Sequence, residues 1–279
     1  MHAPVNPNSA YRQIRGLGMK HDVFWVDAFS AEPFGGNPAV VCVGTDDLSD
    51  TQFQHLANEF NVSESVFISG DKGEYSIRWF TPTKELPLVG HATLAAAHVV
   101  FSSLEPDRSE ARFFSAMSGE LAAFKDQRNV AIVLPADDPV SCDPPDALIR
   151  GLGLMPAVTL KGRHYIAVLD HPDEVASVEP DLDALQTLDL STIAVTAAGG
   201  DSDYVLRFFA PANGVPEDPV SGVAQCSLIP YWASKLGKTE LSSRQLSPKG
   251  GEMHCKLLDA GVQIAGPCCT IFSGALENC

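Results

Sequence analysis

Two stretches of the chain, RWFTPTKELPLVGHATLAAAH (Arg78–His98) and RFFAPANGVPEDPVSGVAQCSL (Arg207–Leu228), read alike, and their likeness decides the fold. Each runs arginine, aromatic, phenylalanine, a small residue and proline. After a short loop each then reads Glu-x-Pro-x-x-Gly-x-Ala. Glu85 and Glu217, Pro87 and Pro219, Gly90 and Gly222, and Ala92 and Ala224 all stand at one offset (217 − 85 = 132). The register continues beyond them. Gly119-Glu120-Leu121 aligns with Gly251-Glu252-Met253, and NVAIVLP, ending at Pro135, aligns with GVQIAGP, ending at Pro267. Blocks that share one register predict a duplicated unit of about half the chain, too long for a solenoid repeat. Two similar domains related by a pseudo-two-fold are expected.

Within each unit the pattern is α+β. Strand signals appear in HDVFWVDAF, PAVVCVG, SESVFIS and EYSIRWF. A loop then carries the acid and the proline, and a helix opens at glycine: GHATLAAAHVVF in the first unit, GVAQCSLIPYWASKLG in the second. Pro230 is expected to kink or end the first segment of the second helix. A hairpin follows in each unit, with turns at KDQRN and LDAG. Many strands and one long apolar helix per unit predict a curved, mainly antiparallel sheet or barrel around a central helix. DDPVSCDPPDA, rich in proline and aspartate, reads as the linker between the units.

The composition limits the function. The 279 residues hold 19 Lys and Arg against 35 Asp and Glu, a formal net charge of -16. That argues against nucleic acid or an anionic membrane as partner. An anionic ligand would need a locally positive pocket, which backbone N–H groups at a helix start can supply. The second helix start, after Glu217 and Asp218, is bare: Ser221 reads as a cap, followed by Gly222, Val223 and Ala224. It suits either an anion site or close helix packing. The seven cysteines include no C-x-x-C, which predicts reduced, mostly buried thiols in a cytoplasmic protein and no metal site. Residues 1–18 lack an apolar core and read as a disordered leader, not a signal peptide. No run is long enough to span a bilayer. FGGNP lacks the dinucleotide pattern, and no P-loop or G-x-S-x-G occurs, so no cofactor is expected. Gly35 and Gly36 there read as a tight turn, with Asn37 as a polar contact.

VDAFSAEPFGGNPAVVC, NVSESVFI, WFTPTKELPLVGHATLAAAHV, FFAPANGVPEDPVSGVAQCSLIPYW and, more weakly, SPKGGEM resemble the PhzF-like family of phenazine-biosynthesis isomerases. The likeness runs from about Val23 to Leu276. It implies the diaminopimelate-epimerase-like fold, with the site in the cleft between two domains. The domains expected are 19–136, joined by the last residues 268–279, and 137–267; a homodimer is a further expectation. The resemblance places an acid/base glutamate at Glu64, the Gly-His-Ala-Thr motif at Gly90-His91-Ala92-Thr93, the Glu-Asp-Pro turn at Glu217-Asp218-Pro219 and the helix-opening glycine at Gly222. The sequence departs from the family pattern at three places. Val223-Ala224-Gln225 stands where many members have Ser-Ala-His, so a hydroxyl is lost and its N–H kept. Val89 replaces a cysteine, and Lys249 an arginine.

The side chains themselves support a site and leave alternatives. Strand alternation puts Val62, Glu64, Val66 and Ile68 on one face. A carboxyl group so flanked is partly desolvated, as a proton shuttle should be; the alternative is a strand edge with Glu64 in water. His91 lies in a first helical turn, where the dipole disfavours imidazolium and predicts a neutral ring. It binds a ligand or merely occupies the cap. His98 reads as core or a support behind the site. Asp218 hydrogen-bonds substrate, holds His91 across the cleft, or caps its own helix. The expected function is a cofactor-independent isomerase of a small carboxylate. Glu64, His91 and Asp218 would be catalytic; Asn37, Gly90, Gly222 and Val223 would bind substrate. Its rivals are a two-cysteine racemase or epimerase on the same fold and a non-catalytic protein that binds small acids. The first rival lacks thiols near the helix starts, since Val89 and Pro219 hold those places and Cys226 lies a turn deeper.

Overall fold

The computed structural model describes residues 21–126 and 129–277, so the leader expected over 1–18 lies outside the described residues. The first half holds β1 (His21–Ala28), β2 (Asn37–Val43), β3 (Glu64–Asp71), β4 (Glu74–Phe80), β5 (Glu85–Leu86), β6 (Glu110–Ser115), β7 (Gly119–Asp126) and β8 (Asn129–Leu134). β9 (Val140–Ser141) lies in the linker. The second half holds β10 (Val158–Lys161), β11 (Tyr165–Val168), β12 (Ile193–Ala198), β13 (Tyr204–Ala210), β14 (Val215–Glu217), β15 (Glu240–Gln245), β16 (Gly251–Leu258) and β17 (Gly261–Gly266), and β18 (Cys268–Leu276) ends the chain's described part.

The duplication is visible strand for strand. In the first half β1–β2 is antiparallel, β2–β3 parallel, β3–β4 antiparallel, β4–β6 parallel, and β6–β7–β8 antiparallel. β10 to β17 repeat that order and those directions. The closing strands are exchanged: β9 pairs with β10 of the second half, and β18 with β1 of the first. β8 and β17 pair antiparallel with Ile132 opposite Ile264, residues that stand at the duplication offset. The pseudo-two-fold therefore passes between these isoleucines, and one continuous sheet of 18 strands results.

Helix α1 spans Asp50–Phe60 and α2 spans Gly90–Val99; the short α3 (Asp146–Leu152), α4 (Pro172–Ser177) and α5 (Leu182–Gln186) follow, and α6 spans Gln225–Leu236. Nine of the ten residues of α2 are buried. A helix apolar all round belongs in a core, and its alanines let the strands come close. α2 touches β1, β2 and β3 as well as β7, β8 and β18, so the sheet of its half curves around it. α6 packs on β15, β16 and β17. His98 is the residue of α2 that is not buried, and its Nε2 lies 3.0 Å from Thr270 Oγ1 on β18, away from the cleft.

Three expectations are amended by the structure. Of the two outcomes expected at Pro230, an end is ruled out, because α6 continues through it. Proline leaves the carbonyl four residues earlier without its helical donor. That carbonyl, on Cys226, accepts instead from the backbone N–H of Asp137 at 2.9 Å, so the linker repairs the gap. Besides the central helix expected in each half, further helices cover the outer face of the sheet. The outward residues Phe67, Ile193 and Val195 are themselves apolar and need cover, which α1 supplies in the first half and α3 to α5 in the second. The start of α1 was legible: Ser49 and Gln52 form a capping box. Finally, Cys142 and Cys269 are only half-buried, while Cys268 is half-buried as a residue but has its thiol pushed up to about 12 by burial. No described helix is long and apolar enough to cross a membrane.

The repeated Arg and Glu form the same device twice. Arg78 Nε and Nη2 donate to Glu85 at 2.7 and 2.8 Å, and Arg207 Nε and Nη2 donate to Glu217 at 2.8 and 2.9 Å. Each guanidinium also sits over a phenylalanine, Phe80 or Phe209. Burial differs: the side chains are 33 and 28% exposed in the first pair, 12 and 18% in the second. Removing one partner of a desolvated pair strands the other. Arg207→Ala should therefore cost about 3 kcal/mol and Arg78→Ala about 1 kcal/mol in urea unfolding. Equal losses would mean that burial does not set the difference.

Candidate active site

The second acid of the Glu-Asp-Pro turn is free to act because the first is committed to Arg207. Asp218 Oδ1 accepts from Asn37 Nδ2 at 2.5 Å. Asp218 does not cap α6; Ser221 Oγ accepts from Ala224 N at 3.3 Å. The helix begins with a tight turn over Gly222–Ala224, held by bonds such as Gln225 N to Gly222 O, and becomes regular at Gln225. Gln225 is fully buried and bonds Tyr204 Oη, so it turns away from the cleft.

Close packing explains the bareness of both helix starts. A Cβ on Gly90 would lie 2.9 Å from the Cα of Gly222, and one on Gly222 would lie 3.1 Å from the Cα of Gly90. The two N-termini thus meet backbone to backbone across the pseudo-two-fold. The residues that carry the first N–H groups of both starts, which have no partner within a helix, border one cavity of about 330 Å³. Gly90, His91, Gly222 and Val223 all line it. The packing answer and the anion-site answer are therefore compatible.

Asn37 is the hub of the cluster. It begins β2 just after Gly36, whose φ of 62° and closeness to Ala28 O demand glycine; Gly35 is needed for space beside Ser30 and not for a positive φ. Asn37 Nδ2 donates to Asp218 and, at 3.0 Å, to Val220 O, while His91 Nδ1 lies 3.1 Å away. Ser63 Oγ donates to Asn37 Oδ1 at 3.4 Å. Two acceptors fix the orientation of the amide and can take both its hydrogens; a proton on His91 Nδ1 would face that NH2 group, so a neutral ring carries its proton on Nε2. That atom lies 3.2 Å from Glu64 Oε2. The contact falls short of hydrogen-bond alignment, and both atoms are buried without another partner.

Glu64 is the first residue of β3, with its side chain 12% exposed. Val66 and Ile68 share the inner core with α2, but Val62 does not join them. Asn61, in the left-handed region, ends α1, and the chain turns so that Val62 packs with Phe67 under that helix.

The helix dipole disfavours a charged His91 ring, but the neighbouring acids act in the opposite sense. Burial lowers its pKa, yet Glu64 and, more weakly, Asp218 outweigh burial and raise it. Burial pushes Asp218 up to about 6, against the pull of His91 and with the push of Glu64. An acid whose folded pKa is raised stabilises the fold while protonated, and that contribution is lost as pH rises through the folded value. Wild type should thus lose stability relative to Asp218→Asn between about pH 4 and pH 6, by on the order of 2 kcal/mol. Urea unfolding at both ends of this window measures it; a constant difference would mean that Asp218 titrates normally.

Sequence reasoning missed His164. It is buried beside Phe208 and lines the cavity from the second half. Burial lowers its pKa to about 4, and its ring nitrogens meet Thr192 Oγ1 at 2.6 Å and Val223 O at 3.3 Å. Register explains the pairing. Ser65 faces Phe80 as Ile193 faces Phe209, so the residues just before, Glu64 and Thr192, are counterparts. One half presents a carboxylate and the other a hydroxyl at the same point.

The profile of the phenazine biosynthesis-like protein family matches residues 26–274. The chain belongs to this family. Two Pseudomonas aeruginosa proteins, each named an uncharacterized isomerase, are 42% identical to it; each match spans 93% of this chain, with 100% of one relative and 99% of the other. The crystal structure of a PhzF family protein from Enterococcus faecalis superposes with a TM-score of 0.88 at 37% identity, covering 93% of this chain and all of that one. A probable proline racemase from Agrobacterium radiobacter, 10% identical with a TM-score of 0.65 over 92% of this chain and 93% of its own, shares the fold. The family membership and the diaminopimelate-epimerase-like fold agree with the resemblance read from the motifs. Within the PhzF-like family, the names of the relatives support an isomerase type of activity.

Proposed function

We propose that this chain is a cofactor-independent isomerase of a small carboxylated, conjugated substrate. Glu64 removes a proton from carbon and returns it to another position of the same conjugated system. The observation that carries this reading is the buried pair Glu64 Oε2 and His91 Nε2, 3.2 Å apart and incompletely bonded, beneath two converging helix starts. The N–H groups of those starts receive the carboxylate. His91 and Asp218 orient the substrate and stabilise charge on its nitrogen or oxygen.

The asymmetry between Glu64 and Thr192 favours an isomerase over an epimerase. Inversion at carbon by two bases needs a proton donor on each face, whereas a shift along a conjugated system needs one shuttle. The two-cysteine alternative finds no support: no cysteine lines the cavity, and burial pushes the Cys226 thiol up to about 12. Small unsaturated and cyclic carboxylic acids screened in D2O should reveal one that gains deuterium at a new carbon while the carbon skeleton is unchanged. Deuterium found only at an amino-acid Cα, with inversion, would instead make the protein an epimerase.

A further inference from the structure

The chain carries a large acidic excess, yet the mouth of its cleft is cationic. Lys84 lies in the loop between β4 and β5 of the first half, and Arg163 in the turn between β10 and β11 of the second. Both are exposed and both line the cavity. Among the described residues neither forms an ion pair, whereas Arg78 and Arg207, near the same loops, are neutralised by Glu85 and Glu217.

The two cations are placed differently, Lys84 by neutral groups and Arg163 through its backbone by a carboxylate. Lys84 Nζ donates to Asn213 Oδ1 at 3.0 Å, and Asn213 Nδ2 donates to Ser191 Oγ at 3.4 Å, a chain of contacts from one half to the other. The turn bearing Arg163 is held by Asp137, whose Oδ2 accepts from the Arg163 backbone N–H at 2.8 Å. The same Oδ2 accepts from Ser227 Oγ on α6 at 2.8 Å. The carboxylates that line the cavity, Glu64 and Asp218, belong to the buried acid/base cluster. One carboxylate of a ligand satisfies the helix starts and leaves both cations facing water.

We infer that the substrate carries a second anionic group, held at the mouth of the cleft by Lys84 and Arg163. The substrate class is thus a compact dianion, such as a cyclic dicarboxylate or a carboxylate with a phosphate. This inference rests on the carboxylate-isomerase reading and adds the second charge to it.

The test uses three inert probes: benzoate, isophthalate and terephthalate, titrated calorimetrically into the full-length protein. One of the dicarboxylates should bind about tenfold more tightly than benzoate, the product of two solvent-exposed ion pairs. Added salt should shrink that ratio. In the Lys84→Met/Arg163→Met double variant the ratio should fall to about one. Equal binding of all three probes by wild type, or a preference that survives in the double variant, overturns the second anionic group. Failure of benzoate itself to bind removes the carboxylate site and this inference with it. Persistence of Glu64-dependent solvent exchange alongside equal probe binding would leave the isomerase reading standing alone.

Discussion

Glu64→Gln should abolish most proton exchange while leaving the ligand bound. Glutamine keeps the shape of the side chain and its ability to hydrogen-bond, but it cannot take a proton from carbon. The helix starts at Gly90 and Gly222 remain, so carboxylate binding persists. General acid–base catalysis contributes about 10²–10⁴ in rate, and solvent exchange should fall by that factor. His91→Ala should behave differently. It removes an orienting group, so binding and exchange weaken together. The measurement is deuterium wash-in for wild type and Glu64→Gln on the same saturating ligand. Unchanged exchange in Glu64→Gln would take the shuttle role from this residue and pass it to His91 or Asp218.

The second large effect lies in the backbone contact between the halves. A Cβ at position 90 would stand 2.9 Å from Gly222 Cα and 3.0 Å from its carbonyl carbon. Both are main-chain atoms, so no side chain can yield. Gly90→Ala should cost about 3 kcal/mol in urea unfolding, at the upper end for an overpacked core. It should also weaken carboxylate binding, because it parts the two helix starts. Gly222→Ala should be milder, since its nearest obstacle is the end of a flexible side chain, Ile264 Cδ1 at 2.9 Å, with Gly90 Cα next at 3.1 Å. Gly200→Ala, where nothing lies within 4 Å, is the control and should stay within about 0.5 kcal/mol of wild type. A Gly90→Ala protein as stable as this control would mean that the halves do not rely on glycine-to-glycine contact.

Both predictions start from the amino-acid sequence, but from different parts of it. Glu64, His91, Asp218 and Asn37 were named from their motifs, and the structure brings all four together. Their connection was not legible. Glu64 and Asp218 are far apart in the chain, and Asn37 joins Asp218 to the His91 ring only because β2 starts beside both helix openings. The charge balance at His91 depends on those same distances, so a dipole argument from its helical position alone leaves out Glu64 and Asp218.

The sequence by itself determined the duplication, the hairpins and the glycine openings of the two central helices. All of these are written in local pattern or in a repeated offset. Only the tertiary structure decided which strand closes each half, how the Cys226 carbonyl finds the linker, and which residues of the second half face the cleft. Thr192 shows the reason. Its equivalence to Glu64 follows from the strand register opposite Phe209 and Phe80, not from the offset of the helix openings. Loops of different length lie between those landmarks. Residues far apart along the chain become neighbours through sheet pairing, and that pairing is set by the whole curved sheet closing on its helix.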